Sequence, residues 1–271
     1  MLPRLALSLP FAALLFALPT QAATLCTLVA DARSGALLVE QGMDCDTPTT
    51  PASTFKVPLA VMAFDAGFLS DAQNPALPFV EGYADWGGEE WRQTTTPLRW
   101  MDYSVVWYSQ VIARELGAQR LADYATAFGY GNADFSGDPG KDNGLERSWI
   151  SSSLKITPRQ QLAFMAKLVT GQLPVSRQAA QTTLSIMQQR QTADGWQVSG
   201  KTGSAYPRKP DGNFDRARGW GWYVGTAGKA DQVLVFVHLI QDETRHDVSG
   251  GLRARDGFLD EWPALMAPLS R

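Results

Sequence analysis

The chain has 271 residues, of which 45% are hydrophobic and 19% are charged, so it is long enough for a globular domain with a substantial core. Its formal net charge is −3 and it has no basic tract, which argues against a nucleic-acid partner. Two cysteines and two scattered histidines are too few for a usual zinc site, so we expect no metal.

The first 22 residues have the pattern of a secretory signal peptide. One charge, Arg4, precedes an apolar run over residues 5–18, and small residues end the segment at Ala22. The run is short for a helix that crosses a bilayer, and Pro10 interrupts it. We predict cleavage after Ala22, export to the periplasm and a mature chain, 23–271, without a membrane span. The sequence makes no prediction about oligomeric state.

A β-hairpin is predicted directly after the signal peptide. Its strands cover residues 24–30 and 36–40, around a turn that contains Gly35. Cys26 and Cys45 lie near the open end of this hairpin, and a disulfide is the default for such a pair in an exported protein. The alternative is a pair of unlinked thiols.

The motif Ser-Thr-Phe-Lys at residues 53–56 follows a loop rich in Thr and Pro and enters an apolar run, a pattern typical of a loop that leads into a helix. Because residues three apart lie on one face of a helix, the Ser53 hydroxyl and the Lys56 amine can meet. Serine becomes a good nucleophile when a base takes its proton, and lysine is a base only when burial keeps it neutral. The free N–H groups at a helix start also suit an oxyanion. Because a second Ser-x-x-Lys occurs at residues 152–155, the motif alone is weak.

Helices are predicted through the middle of the chain and strands near its end. The predicted helices cover 101–116, 121–128, 157–170, 176–190 and 252–266, and the late strands cover 196–203, 219–225 and 233–240. This order predicts an α+β fold with an antiparallel sheet, in which the first hairpin joins the last three strands. We predict a single catalytic domain over 23–271. Its sheet lobe spans about 23–50 and 191–271, and its helical lobe spans about 51–190.

Three further motifs follow Ser53 along the chain. Ser104-Val105-Val106 lies near the start of the predicted helix at residue 101, where a hydroxyl can relay a proton. Tyr130-Gly131-Asn132 lies in a glycine-rich loop. Lys201-Thr202-Gly203 ends a predicted strand, where the lysine can meet an anion and the glycine lets a ligand approach the backbone. Taken singly, the first motif fits equally well an ordinary helix serine, the second an ordinary turn and the third an exposed strand end.

Together, the order of the motifs resembles that of the penicillin-recognising serine enzymes. In detail, the whole mature chain resembles the class D (oxacillinase-type) β-lactamases, and the Ser-Asp-Asn motif of class A is not present in the sequence. The resemblance rests on the following segments: 51–56, Ser104 with Val106, 130–132, Trp149 with 152–156, 201–203 and 221–225. It implies a β-lactamase/transpeptidase-like fold, in which an antiparallel sheet is flanked by terminal helices and the active site lies between the sheet and a mostly helical lobe.

The resemblance also implies hydrolysis of a β-lactam antibiotic through an acyl-enzyme on Ser53. Lys56 is then the general base, carboxylated on its amine by carbon dioxide or bicarbonate, and no other cofactor is expected. Trp149 is similar to the family tryptophan that donates a hydrogen bond to this carbamate. Ser104 relays a proton to the leaving nitrogen, and Val106 keeps the lysine pocket apolar.

For substrate binding, the resemblance implies that Lys201 and Thr202 face the substrate carboxylate. Arg253 is the expected second cation, with Arg255 as the alternative. The backbone N–H groups of Ser53 and of Ser204, which follows Gly203, form the oxyanion hole. The same comparison suggests that Tyr103 and Ile150 shape water access, and it leaves the role of residues 130–132 open between structure and function.

Two other functions are consistent with part of this pattern. A penicillin-binding sensor or transpeptidase shares these motifs but acylates without turnover. Residues 195–202 also match the phosphate-binding loop Gly-x-x-x-x-Gly-Lys-Thr, but they lack a buried strand before them and a helix after them, so we expect a chance match.

Overall fold

The computed structural model describes residues 22–270. The predicted signal peptide therefore lies outside the described residues, apart from Ala22. Within residues 22–270, no helix is both long enough and apolar enough to cross a membrane.

The described residues form an α+β fold. The strands are β1 (Ala23–Asp31), β2 (Leu37–Gln41), β3 (Gln188–Gln191), β4 (Gln197–Ala205), β5 (Trp220–Lys229) and β6 (Gln232–Gln241). The helices are α1 (Lys56–Asp65), α2 (Pro97–Tyr103), α3 (Val106–Phe128), α4 (Gly144–Arg147), α5 (Pro158–Thr170), α6 (Arg177–Ser185) and α7 (Gly250–Met266). Over residues 22–270, six strands form one antiparallel sheet in the order β2-β1-β6-β5-β4-β3. The predicted fold class, and the pairing of the first hairpin with the late strands, are confirmed.

Both faces of the sheet are buried, and β6 illustrates why. Its residues alternate, so that Phe236 packs in the core beside α7 while Val235 and Val237 join the larger core with the helical lobe. Phe236 stacks on Phe258 of α7 at 4.6 Å between ring centroids. Of the terminal helices predicted to flank the sheet, the described residues contain the C-terminal one, α7. The sheet is therefore a middle layer between α7 and the helical lobe.

The helix predicted from Ser176 to residue 190 is too long. α6 ends at Ser185, and β3 then pairs with β4, with Gln188 opposite Gly200. β3 consists of three glutamines and an arginine and lies at the edge of the sheet, so it buries no apolar stripe. A sequence pattern that depends on buried apolar residues could not reveal it.

The predicted disulfide is confirmed. Cys26 in β1 bonds to Cys45 in the loop after β2, with 5.0 Å between the two Cα atoms. Closing a loop of this size lowers the entropy of the unfolded chain and stabilises the fold by about 3 kcal/mol. The bond ties the hairpin to the segment that leads to Ser53.

Candidate active site

Ser53 lies in a single 3-10 turn, Ala52–Phe55, that leads directly into α1. Ala52 has φ 51°, in the left-handed region that residues other than glycine rarely adopt. Lys56 is the first residue of α1, and its Nζ donates a hydrogen bond to Ser53 Oγ at 3.1 Å. The predicted contact between the two side chains is therefore present.

Lys56 is buried, with 1% of its surface exposed. Burial lowers the pKa of Lys56 well below its usual range, and the nearby positive charge of Lys201 lowers it further. A lysine with a lowered pKa gives up its proton more readily than an exposed lysine does. A neutral amine can accept a proton from serine, and it can also add carbon dioxide.

Two buried aromatic rings stack on each other at Phe55, the residue before Lys56. Phe55 stacks on Trp149 at 5.4 Å between ring centroids, and Trp149 is 1% exposed. The Thr50 hydroxyl donates to the Trp149 carbonyl at 2.8 Å, which ties the Trp149 loop to the segment before Ser53. Within the described residues, no group accepts a hydrogen bond from the Trp149 indole N–H. This donor is therefore available to a partner that the polypeptide does not provide.

The predicted position of Ser104 near the start of a helix from residue 101 is wrong. α2 ends at Tyr103, Ser104 has φ 56° and ψ 36°, and α3 begins at Val106. Met101, Val105 and Val106 are all buried, so the apolar spacing continues across the break between the two helices. That is why the sequence suggested a single helix. Ser104 is thus itself the left-handed residue that separates the two helices.

Lys201 lies inside β4 and is 3% exposed. Its Nζ donates to the Thr202 carbonyl at 3.0 Å. Burial lowers the pKa of Lys201 to about 7, the charge of Asp102 raises it, and the charge of Arg255 lowers it. Lys201 therefore changes its charge near neutral pH, which matters for binding an anion.

One edge of β4 is unpaired beside Ser53. Gly200 is the last β4 residue that pairs with β3, so the edge from Lys201 to Ala205 remains open. A Cβ added to Gly203 would lie 3.0 Å from Pro51 O and 3.1 Å from Thr54 N. Gly203 therefore lets β4 pack directly on the turn that carries Ser53, and the two motifs meet there.

Thr202 and Ser204 lie on the opposite face of β4 from Lys201, because side chains alternate along a strand. Ser204 Oγ accepts a hydrogen bond from Gly251 N at 2.8 Å, which places the start of α7 against this part of β4. The end of β4 is thus held by the Ser53 turn on one face and by α7 on the other.

The two candidate arginines of α7 point in different directions. Arg253 pairs with Asp242 and donates through Nε to the Val248 carbonyl, and it lines a cavity with His238 on the face of the sheet that α7 covers. Arg255 is the arginine whose charge lowers the pKa of Lys201. It lies one helical turn after Gly251, which packs on β4. The role of Arg253 as the second cation, with Arg255 as its alternative, stays a prediction.

Asp102 is a charged neighbour of Lys201 that no sequence pattern singles out. Its carbonyl accepts from Gln188 Nε2 of β3 at 2.8 Å. Burial raises the pKa of Asp102, whereas the charges of Lys201 and Arg190 lower it. One acidic residue near the end of a helix is an ordinary feature, and its position two residues before Ser104 was the sole signal in the sequence.

Replacing Asp102 with asparagine should move the pH dependence of substrate binding. The variant removes the charge that raises the pKa of Lys201, so Lys201 should lose its proton at lower pH. We expect KM for a carboxylate-bearing substrate to rise as pH increases through neutrality, and to begin rising at lower pH in Asp102→Asn. Steady-state KM measured across this range tests the expectation, with Asp231→Asn in the exposed β5–β6 turn as the matched control. An unshifted KM profile in Asp102→Asn would contradict it.

The segment 130–132 has a structural role in the fold. The Tyr130 hydroxyl is buried and donates to Gln161 Oε1 at 3.2 Å. Asn132 donates to Ser153 O and accepts from Lys155 N, which fixes the loop of the second Ser-x-x-Lys motif. Among the described residues, no group of three or more His, Cys, Asp or Glu side chains could hold a metal ion.

The phosphate-loop match has neither of the neighbours that such a loop requires. β3, which precedes it, is a half-exposed edge strand, and residues 197–202 lie within β4, which continues to Ala205. The next element in the chain is β5, so no helix start is available to cradle a phosphate.

Comparisons with protein families, with known sequences and with solved structures all find the same group of relatives. Residues 25–258 match the penicillin binding protein transpeptidase domain family. The beta-lactamase OXA-9 of Klebsiella pneumoniae is 40% identical over 89% of this chain and 88% of its own length, and the beta-lactamase OXA-1 of Escherichia coli is 33% identical over 85% and 80%. The crystal structure of the OXA-427 class D beta-lactamase superposes with a TM-score of 0.82 at 49% identity, covering 90% of this chain and 99% of that one.

Proposed function

Because the chain belongs to the class D β-lactamases, within the penicillin-binding transpeptidase family, we propose that it hydrolyses the β-lactam ring of penicillin-type antibiotics and so gives resistance to them. The observation that carries the proposal is the 3.1 Å contact between the buried Lys56 amine and the Ser53 hydroxyl. That contact lies in a turn packed against the open edge of β4, where an amide-like substrate can dock.

Acylation begins with binding of the substrate carboxylate. Lys201 and Thr202 hold it, and we propose Arg255, rather than Arg253, as the second cation, since Arg253 is already paired with Asp242. This leaves the β-lactam carbonyl beside Ser53. Opposite charge at short range favours the protonated form of Lys201, so substrate binding itself supports the charge that binding needs.

In acylation, one proton is transferred, a bond forms between Ser53 Oγ and the lactam carbonyl carbon, and one C–N bond breaks. Lys56 takes the proton of Ser53, and Oγ attacks the lactam carbonyl. The N–H groups of Ser53 and Ser204 stabilise the oxyanion. As the C–N bond breaks, Ser104 relays the proton from Lys56 to the leaving nitrogen, and the opened antibiotic remains as an ester on Ser53.

The base in this scheme is Lys56 in its carboxylated form. The neutral amine adds carbon dioxide and releases a proton, which gives a carbamate with the charge of a carboxylate. The unpartnered indole N–H of Trp149 is suited to donate to it, and the apolar side chain of Val106 limits its exposure to water. The carbamate then takes a proton from the water that attacks the ester, and this frees Ser53. The scheme needs no metal and no organic cofactor.

The proposal is tested by counting product molecules per enzyme with a penicillin in excess. Sustained turnover supports a hydrolase. A single equivalent of product, with the antibiotic still attached to Ser53, would instead support the alternative, a penicillin-binding sensor or transpeptidase.

Replacing Trp149 with phenylalanine should weaken retention of the carbamate. The ring stacked on Phe55 is kept and the N–H donor is lost, and a hydrogen bond to a charged group is worth about 1.5–3 kcal/mol. We expect turnover at ambient carbon dioxide to fall by about 10- to 100-fold and to recover in part when bicarbonate is added.

A bicarbonate titration of steady-state turnover measures this effect. Trp262→Phe, at another buried tryptophan in the core beside α7, is the matched control and should show no bicarbonate response. If Trp149→Phe loses activity and bicarbonate restores none of it, Trp149 does not support a carbamate.

The location and extent of the mature enzyme complete the proposal. The charge at Arg4, the apolar run after it and the small residues at Ala22 support a leader that is removed on export to the periplasm. Residues 23–271 then form a single catalytic domain with its active site between the sheet lobe and the helical lobe. N-terminal sequencing of the exported protein tests the cleavage site.

A further inference from the structure

A chain of buried hydrogen bonds runs from the Ser53 turn into the helical lobe. The Thr54 hydroxyl donates to Pro51 O at 2.6 Å, Gln161 Nε2 of α5 donates to Thr54 Oγ1 at 2.7 Å, and the Tyr130 hydroxyl donates to Gln161 Oε1 at 3.2 Å. The side chains of Thr54, Gln161 and Tyr130 are at most 1% exposed. None of these three has a part in the chemistry described above.

The donors and acceptors of this chain agree in one direction. Thr54 uses its single hydroxyl proton on Pro51 O, so its oxygen is left to accept from the Gln161 amide. The Gln161 carbonyl oxygen is then free to accept from Tyr130, whose pKa is raised by burial so that it stays protonated. Because none of these three side chains changes its charge near neutral pH, the geometry of their hydrogen bonds does not depend on pH.

The first link of the chain closes the turn that carries the nucleophile. Ser53 lies between Pro51 and Thr54, and both the N–H and the hydroxyl of Thr54 bind Pro51 O, at 3.2 Å and 2.6 Å. The turn contains Ala52 at φ 51°, a conformation that residues other than glycine rarely adopt and that persists only where the surroundings impose it. On its other side the turn rests on Gly203 of β4. Gln161 therefore anchors the turn from α5, in addition to its contacts with β4 and with Trp149.

We propose that Gln161, acting through Thr54, is a positioning residue that holds the Ser53 turn with the serine hydroxyl in reach of Lys56. The inference rests on the proposed role of Ser53 as nucleophile. It means that α5 influences the acylation rate through the Ser53 turn, although Gln161 does not touch the substrate.

The test is the variant Gln161→Met, which keeps the length of the side chain and removes both of its hydrogen bonds. In single-turnover reactions with a penicillin, we expect the acylation rate constant to fall by about tenfold, while the burst amplitude stays near one per enzyme. Thr54→Val should have the same effect, Thr54→Ser should restore the rate because the hydroxyl is kept, and the double variant Thr54→Val with Gln161→Met should be no slower than either alone.

A matched control separates positioning from general destabilisation. Thr27 is as fully buried as Thr54, and its hydroxyl pairs with His238 Nδ1 at 2.8 Å in the sheet. Thr27→Val should lower Tm but leave the acylation rate constant unchanged.

The proposal is overturned if Gln161→Met acylates at the wild-type rate, or if it lowers only Tm and burst amplitude in the manner of a folding defect. A second readout does not depend on β-lactam chemistry: a small boronic acid that adds to the Ser53 hydroxyl should bind about tenfold more weakly to Gln161→Met. Unchanged boronic acid affinity would also overturn the proposal. Failure of the wild-type protein to form an acyl-enzyme would instead count against the proposed function.

Discussion

Ser53→Ala is expected to abolish covalent labelling by a penicillin and to lower hydrolysis on the order of 10⁵-fold or more, as removal of the nucleophile does in other serine enzymes. No other hydroxyl in the described residues accepts a hydrogen bond from a buried lysine. Intact mass measured after incubation with the antibiotic gives the result directly, because an acyl-enzyme carries the mass of the whole opened drug.

The chain contains its own control for this prediction. Ser152 belongs to the second Ser-x-x-Lys motif, but its hydroxyl donates to Asp138 at 2.7 Å and the motif lies in a loop pinned by Asn132. Ser152→Ala should still be acylated. A stoichiometric adduct on Ser53→Ala would mean that another residue is the nucleophile.

Lys56→Ala should separate the two halves of the reaction. Without a base, acylation should slow by about 10²- to 10⁴-fold, and the ester that does form should persist because water is no longer activated. The acyl-enzyme should therefore accumulate in the variant and be visible by mass long after the wild-type protein has cleared it. Lys155→Ala, at the lysine of the second motif, is the matched control and should turn over normally. Unchanged turnover in Lys56→Ala would exclude Lys56 as the base.

The same assignment sets the direction of the pH dependence. Burial lowers the pKa of Lys56, so the neutral amine that adds carbon dioxide is present above that lowered pKa and is lost as pH falls through it. Activity should accordingly decline on the acidic side together with the carbamate. On the basic side, the limit comes from Lys201, which loses the charge that holds the substrate as pH rises through about 7 in the free enzyme.

The contact between Ser53 and Lys56 and the strand that carries Lys201 could be predicted from the sequence, because each depends on short local spacing. The disulfide and the antiparallel sheet were also predictable, since both follow from local patterns of apolar residues, turns and cysteines. The edge strand β3 was not, because its polar residues bury nothing.

Two parts of the site depend on tertiary geometry that no local pattern carries. Arg253 and Arg255 differ by two residues on one helix, and the surroundings of each depend on how α7 is rotated on the sheet, which the contact of Gly251 with Ser204 helps to fix. Ser104 was placed on a helix because the buried spacing continues through it, whereas its left-handed conformation separates two helices. The role of Gln161 likewise emerges only when α5 meets the Ser53 turn.

The most direct test of the central claim is steady-state hydrolysis of a penicillin by the mature protein after removal of carbon dioxide, with and without added bicarbonate. If Ser53 is the nucleophile and carboxylated Lys56 the base, turnover is low in the depleted solution and rises to a plateau as bicarbonate is restored. Full turnover without carbon dioxide would contradict the carbamate, and a single equivalent of product at every bicarbonate concentration would contradict the hydrolase itself.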